Sequence, residues 1–151
     1  MKVREIMTSA VKACGPETNL AEAVKLMWEL DCGVLPVVTS DGKVFGMITD
    51  RDICVAIATR GQTADRMVVS DVTADKAYTC APDDEATAAL QTMKSQRVRR
   101  LPVVDVEGRL KGILSLNDVV THAGAASSTE IVSTMASICE HRRPAATTSV
   151  A

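Results

Sequence analysis

The chain has 151 residues, 46% of them hydrophobic, and a net charge of −2. That suits one domain, or two small ones sharing a core, and argues against a general nucleic-acid or membrane-surface binder. No apolar run approaches the roughly 20 residues of a membrane span, and MKVREIMTSAV lacks the apolar stretch of a secretory signal.

In chain order, Val3 to Met7 reads as a short lead-in of one helical turn. Val11 to Cys14 reads as a short strand stopped by Gly15-Pro16. Thr18 or Asn19 suits a helix N-cap, and Leu20, Ala23, Val24 and Met27 then mark one helical face. Val34 to Val38 is an apolar, β-branched strand; Asp41-Gly42 signals a hairpin; Val44 to Ile48 returns. DRDICVAIATRG, from Asp50, predicts a helix ending at Gly61. A short connector, 62–68, leads to a second unit, 69–120. After it, 121–127 is a small, polar linker, and Ser127 with Glu130 has capping-box spacing. Ile131, Val132, Met135, Ile138 and Cys139 then predict an amphipathic helix over 128–141, followed by a disordered tail, 142–151.

The second unit repeats the first. Residues 3–54 slide onto 69–120 without a gap, at a shift of 66, with 12 of 52 positions identical. Leu35-Pro36-Val37-Val38 recurs as Leu101-Pro102-Val103-Val104, and GKVFGMITDRD, from Gly42, recurs as GRLKGILSLND, from Gly108. A gapless match of this length points to duplication of a β-α-β-β-α unit, 1–61 and 69–120, too small to be comfortable alone. Each copy of the longer motif ends in a hydroxyl and, three places on, an aspartate: Thr49/Asp52 and Ser115/Asp118.

Two readings of those pairs stand side by side. A hydroxyl at a helix start is a capping residue, and an acid in the first turn suits the helix dipole. Alternatively, the hydroxyl donates to a phosphate at the helix N-terminus, and the carboxylate accepts from ribose hydroxyls. Gly46 and Gly112 leave room for a ligand or another backbone, while Gly42 and Gly108 serve the turns. Trp28 is either core rim or a dimer contact. The second copy adds Arg97, Arg99 and Arg100 where the first has Asp31, Gly33 and Val34. These are a solvated basic edge, or phosphate ligands by virtue of the bidentate guanidinium. Arg51 adds a further positive charge. There is no nucleophile, base or metal set, so no enzyme is expected. The five cysteines form no CxxC pair, which favours reduced thiols in a cytoplasm.

VREIMT, the doubled LPVV, GMITDRDI and GILSLNDVV together resemble a tandem pair of CBS domains, the cystathionine-β-synthase type regulatory module, across 1–120. The resemblance implies an α/β (α+β) fold with two repeats packed about a pseudo-twofold axis. It also implies clefts that hold adenosine ligands such as AMP, ADP, ATP or S-adenosylmethionine, and further assembly into flat homodimers. It places Thr49 and Asp52 opposite Tyr78, Thr79 and Cys80, and Ser115 and Asp118 opposite Val11, Ala13 and Cys14. By likeness to the regulatory subunit of AMP-activated kinase, Arg99 and Arg100 reach ligand phosphates. Ala13 stands where Thr79 carries the family's threonine, and Thr73-Ala74 replaces the lead-in's Met-Thr, so the two clefts are expected to differ, the Thr49/Asp52 cleft being the better equipped. The function expected is non-catalytic sensing of an adenine nucleotide, acting on an unidentified effector protein, with no required cofactor. The alternative is an oligomerisation and docking scaffold without a physiological nucleotide.

Overall fold

The computed structural model describes residues 1–73 and 76–140. After α1 (Val3–Ile6), helix α2 (Leu20–Glu29) starts at Asn19, whose side chain accepts from the Glu22 N–H at 2.8 Å. It buries Leu20, Ala23 and Met27, whereas Val24, expected on the same face, stays exposed. Strands β1 (Val34–Val38) and β2 (Val44–Thr49) pair antiparallel, with Leu35 opposite Ile48 and a bulge at Val37/Val38. Helix α3 (Asp50–Arg60) ends at Gly61, the connector carries a 3-10 turn at Ala64–Arg66, and the second unit opens on another at Val69–Asp71. The second repeat supplies α4 (Ala86–Gln96), β3 (Arg100–Val104), β4 (Leu110–Ser115) and the shorter α5 (Leu116–Thr121). Its hairpin keeps the same register and the same bulge, now at Val103/Val104.

The expected strand Val11–Cys14 shrinks to a single residue. Cys14 bridges Val37 in parallel, its N–H donating to Pro36 O (3.0 Å) and its carbonyl accepting from Val38 N–H (2.9 Å). The next rung on one side needs an N–H from Pro36, and on the other an N–H from Pro16; neither proline has one. Cys80 repeats the arrangement against Val103, where Pro102 and Pro82 cut the ladder in the same way.

The lead-ins cross over. Val3 N–H donates to Asp84 O (2.9 Å) and Arg4 N–H to Pro82 O (2.9 Å). The equivalent atoms 66 residues on do the reverse, Val69 N–H to Thr18 O (2.8 Å) and Ser70 N–H to Pro16 O (2.9 Å). Val3 and Ile6 are thereby buried with Leu90, Met93, Leu101 and Leu114 of the second repeat. Met67 and Val69 are buried with Leu20, Met27, Leu35 and Ile48 of the first. The hairpin tips also meet, Val44 N–H on Gly108 O (3.0 Å) and Leu110 N–H on Gly42 O (3.1 Å). Gly42 and Gly108 take positive φ there, 82° and 80°, as turn residues.

Helix α6 (Ser128–Cys139) is capped by Ser127 and Glu130 as expected and packs on α4. His141 and the tail 142–151 lie outside the described residues. The expected apolar stripe is only partly used. Ile131 and Ile138 pack on the second core, but Val132, Met135 and Cys139 are exposed. The residue at 0% exposure is Thr134. Its hydroxyl donates to Glu130 O one turn back (2.8 Å), which satisfies the polar atom and lets the small side chain sit against α4.

Gly112 is required by the crossing. A Cβ there would stand 2.5 Å from Thr8 O, because Thr8 and Ile113 exchange two backbone hydrogen bonds (3.0 and 2.9 Å). Backbone, and not ligand, explains the absence of a side chain at this position. Gly112→Ala is expected to destabilise the protein by about 1–3 kcal/mol through overpacking. Urea denaturation checks this, and an unchanged midpoint would contradict it.

Candidate functional site

Two clefts lie between the repeats, related by the same 66-residue equivalence. The larger, about 710 Å³, is lined by Val34, Met47 and Thr49 from one side and by Lys76, Tyr78 and Arg97 to Arg100 from the other. The smaller, about 280 Å³, is lined by Thr8, Val11, Lys12, Arg100, Ser115 and Asp118 among others. Several equivalent positions differ in character. Lys76 and Tyr78 of the larger cleft correspond to Ala10 and Lys12 of the smaller, and Arg99 of the larger corresponds to Gly33, which does not line the smaller.

The hydroxyl–aspartate pairs are built as helix caps. Thr49 Oγ1 donates to Asp52 Oδ2 (2.7 Å) and accepts from Asp52 N–H (3.1 Å), and Thr49 N–H donates to the same Oδ2 (3.0 Å). Ser115 and Asp118 repeat this at 2.6, 3.2 and 2.7 Å. Each hydroxyl therefore commits its one proton to its own carboxylate and keeps only acceptor capacity. Each aspartate keeps Oδ1 without a hydrogen-bond partner among the described residues. Such a pair can accept hydrogen bonds from hydroxyl donors, and the Thr49 proton is committed while the cap is closed.

Thr49, Arg51, Arg99 and Arg100 all line the larger cleft, while Ser115 and Asp118 line the smaller. Arg100 reaches both. Asp52 sits beside Thr49 in the first turn of α3 but is not among the lining residues, unlike its equivalent Asp118. Thr79 is not brought in: it is exposed, and Lys76, Ala77 and Tyr78 face the larger cleft instead. Tyr78 and Cys80 share the inward side of the extended segment, Cys80 in the core and Tyr78 packed against it at the cleft, and Thr79 between them faces out. Lys76 and Ile138 were not singled out from the sequence. Lys76 shares the parity of Tyr78, which was the available signal, whereas Ile138 arrives from α6 by tertiary packing alone. Lys76 Nζ lies 5.5 Å from the Tyr78 ring centroid. Among the described residues none of Arg51, Lys76, Arg99 and Arg100 forms an ion pair, whereas Arg97 is held by Glu140 at 2.8 Å.

Burial pushes the Cys14 thiol up to about 11 and the Cys80 thiol up to about 12, the latter helped by the nearby Asp84 charge. Both stay protonated at neutral pH and are poor nucleophiles. Exposed Cys54 and Cys139 are expected to react with a thiol reagent at pH 8 in the native protein, and Cys14 and Cys80 only after unfolding. Mass mapping of labelled peptides checks this; fast labelling of Cys14 in the native protein would contradict it.

Two copies of one α/β unit, joined by crossed lead-ins and enclosing a pair of equivalent clefts, define a duplicated ligand-binding module. The chain belongs to the CBS-domain family, whose model matches residues 3–59 and 69–124. It is 32% identical over 119 residues to hypoxic response protein 1 of Mycobacterium tuberculosis, covering 79% of this chain and 82% of that one. A crystal structure of that protein with two coordinated zinc ions superposes with a TM-score of 0.74 at 30% identity, covering 81% of this chain and 98% of that one. Among the described residues of the present chain, no group of three or more His, Cys, Asp or Glu is placed to hold a metal. The structure of CBSX2 in complex with AMP superposes with a TM-score of 0.70 at 26% identity, covering 79% and 93%. Inosine-5'-monophosphate dehydrogenase of Methanocaldococcus jannaschii is 35% identical over 120 residues, which are 79% of this chain but 23% of that enzyme. No helix among the described residues is long and apolar enough to cross a membrane.

Proposed function

We propose that the protein is a non-catalytic regulatory module that binds an adenine nucleotide in the larger cleft and acts on an effector protein in the cytoplasm. The observation that carries this reading is the charge of that cleft. Arg51, Lys76, Arg99 and Arg100 line it without ion-pair partners among the described residues, against one lining carboxylate, Asp50; Asp52, next to the lining residue Thr49, keeps a free Oδ1. An excess of cations over carboxylates around a cavity of this size favours an anionic ligand, and arginine favours phosphate. The AMP in the CBSX2 structure, in a chain 26% identical, supports the adenine class. In this reading Asp52, adjacent to the lining residue Thr49, takes the ribose hydroxyls with Thr49 as a second acceptor, and Arg99 and Arg100 take phosphate. Tyr78 offers a face for the base. In the smaller cleft, Ser115 and Asp118 offer the same acceptors with fewer cations, so its occupancy is weaker for a phosphorylated ligand. The alternative, a scaffold without a nucleotide, is decided by binding.

Saturating AMP, at 100 times its dissociation constant, is expected to add about 2.7 kcal/mol of stability. Asp52→Ala is expected to weaken AMP and adenosine alike by about 1.5–3 kcal/mol, since the lost contact is to ribose. Replacing Arg99 and Arg100 by Gln is expected to weaken AMP and leave adenosine unchanged. Calorimetry on these variants checks both. No stabilisation by any adenine ligand at millimolar concentration would favour the scaffold.

The same reading extends to a homodimer formed through the first repeat. There α2 and α3 leave Val24, Val55 and Ile57 exposed, and Trp28 is 86% exposed. At the equivalent of Trp28 the second repeat has Lys94, whose Nζ donates to Ser133 Oγ of α6 at 2.6 Å. Helix α6 thus covers the flank that the first repeat leaves bare, and aromatic residues on such bare flanks are typical of interfaces. Sedimentation at tens of micromolar is expected to give a dimer for the native chain and a monomer for Trp28→Glu. A monomeric native chain would contradict the dimer.

A further inference from the structure

Helix α6 lies outside both repeats, yet it reaches the larger cleft. Ile138, in its last turn, is part of the lining. Ile138 also borders a smaller hollow of about 230 Å³ shared with Arg99, Arg100 and Met135. One residue beyond the helix, Glu140 Oε2 accepts from Arg97 Nη2 at 2.8 Å. Arg97 is itself a lining residue, set at the end of α4 in the left-handed conformation, φ 55°. The Val98 N–H closes that turn onto Met93 O at 3.0 Å, so the backbone fixes where the guanidinium begins. The end of α6 therefore supplies one apolar wall of the cleft and the only carboxylate bound to its cations among the described residues.

The attachment of α6 is light. One fully buried residue, Thr134, the partly buried Ile131 and Ile138, and the Lys94–Ser133 and Arg97–Glu140 contacts hold it to the second repeat. The ion pair is largely in solvent, with Arg97 37% and Glu140 65% exposed, so it is of the weak, screened kind that a stronger anion displaces.

We propose that a phosphorylated ligand in the larger cleft competes with Glu140 for Arg97, so that ligand binding loosens the end of α6 from α4 and docking of α6 lowers affinity for phosphate. A phosphate carries more charge than a carboxylate and offers Arg97 two acceptor oxygens. Coupling of this kind is reciprocal: docking of α6 lowers ligand affinity by the same factor by which bound ligand weakens docking. The output is a helix end, bearing the exposed Val132 and Met135, whose mobility reports the state of the cleft. The inference rests on the nucleotide reading and adds its regulation.

The test uses the full chain, with ADP and adenosine as probes and Glu140→Gln as the variant. Glu140→Gln is expected to bind ADP roughly two- to fivefold more tightly than the native chain, the range set by a partly exposed ion pair, and to bind adenosine unchanged. Hydrogen exchange is expected to speed up across the last turn of α6 when ADP is added to the native chain. A second variant, Lys94→Met, breaks the other polar tether of α6 away from the cleft and is also expected to tighten ADP. If ADP binds but neither variant shifts its affinity, or the exchange of α6 is unaltered, the coupling is wrong and the nucleotide reading stands. If ADP binds neither the native chain nor Glu140→Gln, both fail together.

Discussion

The exchange of lead-ins is the constraint on which the rest of the molecule depends. Val3 and Ile6 complete the core of the second repeat, and Met67 and Val69 complete the core of the first. Each such side chain is worth about 1.5–3 kcal/mol when buried. Four of them together rival the 5–15 kcal/mol net stability typical of a domain. Neither repeat can close its interior alone, and the clefts exist because the two are bound together this way. The path of the first lead-in past β4 also explains Gly112, whose Cβ would collide with Thr8 O.

Within that frame the two clefts begin as copies and differ by a few substitutions. The cap pairs Thr49/Asp52 and Ser115/Asp118 have the same hydrogen bonds within 0.3 Å, since the larger differences are 3.0 against 2.7 Å. The differences lie opposite them. Arg99 and Lys76, at the equivalents of Gly33 and Ala10, add positive charge to the larger cleft, while Arg100, at the equivalent of Val34, lines both clefts and Lys12, the equivalent of Tyr78, lines the smaller. Helix α6, which has no counterpart after α3, deepens the asymmetry by covering α4 and bringing Ile138 and Glu140 to the cleft mouth.

Much of this was legible in the sequence because it is local. The gapless repeat, the hairpins, the Gly61 stop and the Ser127/Glu130 cap are short-range patterns, and each has its expected counterpart in the structure. What was not legible depends on distant partners. Val11–Cys14 read as a short strand, but its ladder needed N–H groups from Pro36 and Pro16. The stripe on α6 read as five apolar residues, but α4 received Thr134 and left Val132 and Met135 in water. Thr79 was carried over from a family pattern, while the alternation from Cys80 turns Tyr78 and Lys76 toward the cleft. The Arg97–Glu140 pair joins residues 43 apart and has no sequence signature at all.

The central claim is that the larger cleft, and not the smaller, is the primary nucleotide site. Amide chemical-shift mapping during titration with AMP tests it most directly. The account predicts that the first perturbations fall at Val34, Thr49, Lys76 to Tyr78 and Arg97 to Arg100, with Thr8 to Lys12, Ser115 and Asp118 responding only at higher concentration. First perturbations at Ser115, Asp118 and Val11, or none at either cleft at millimolar AMP, would contradict it.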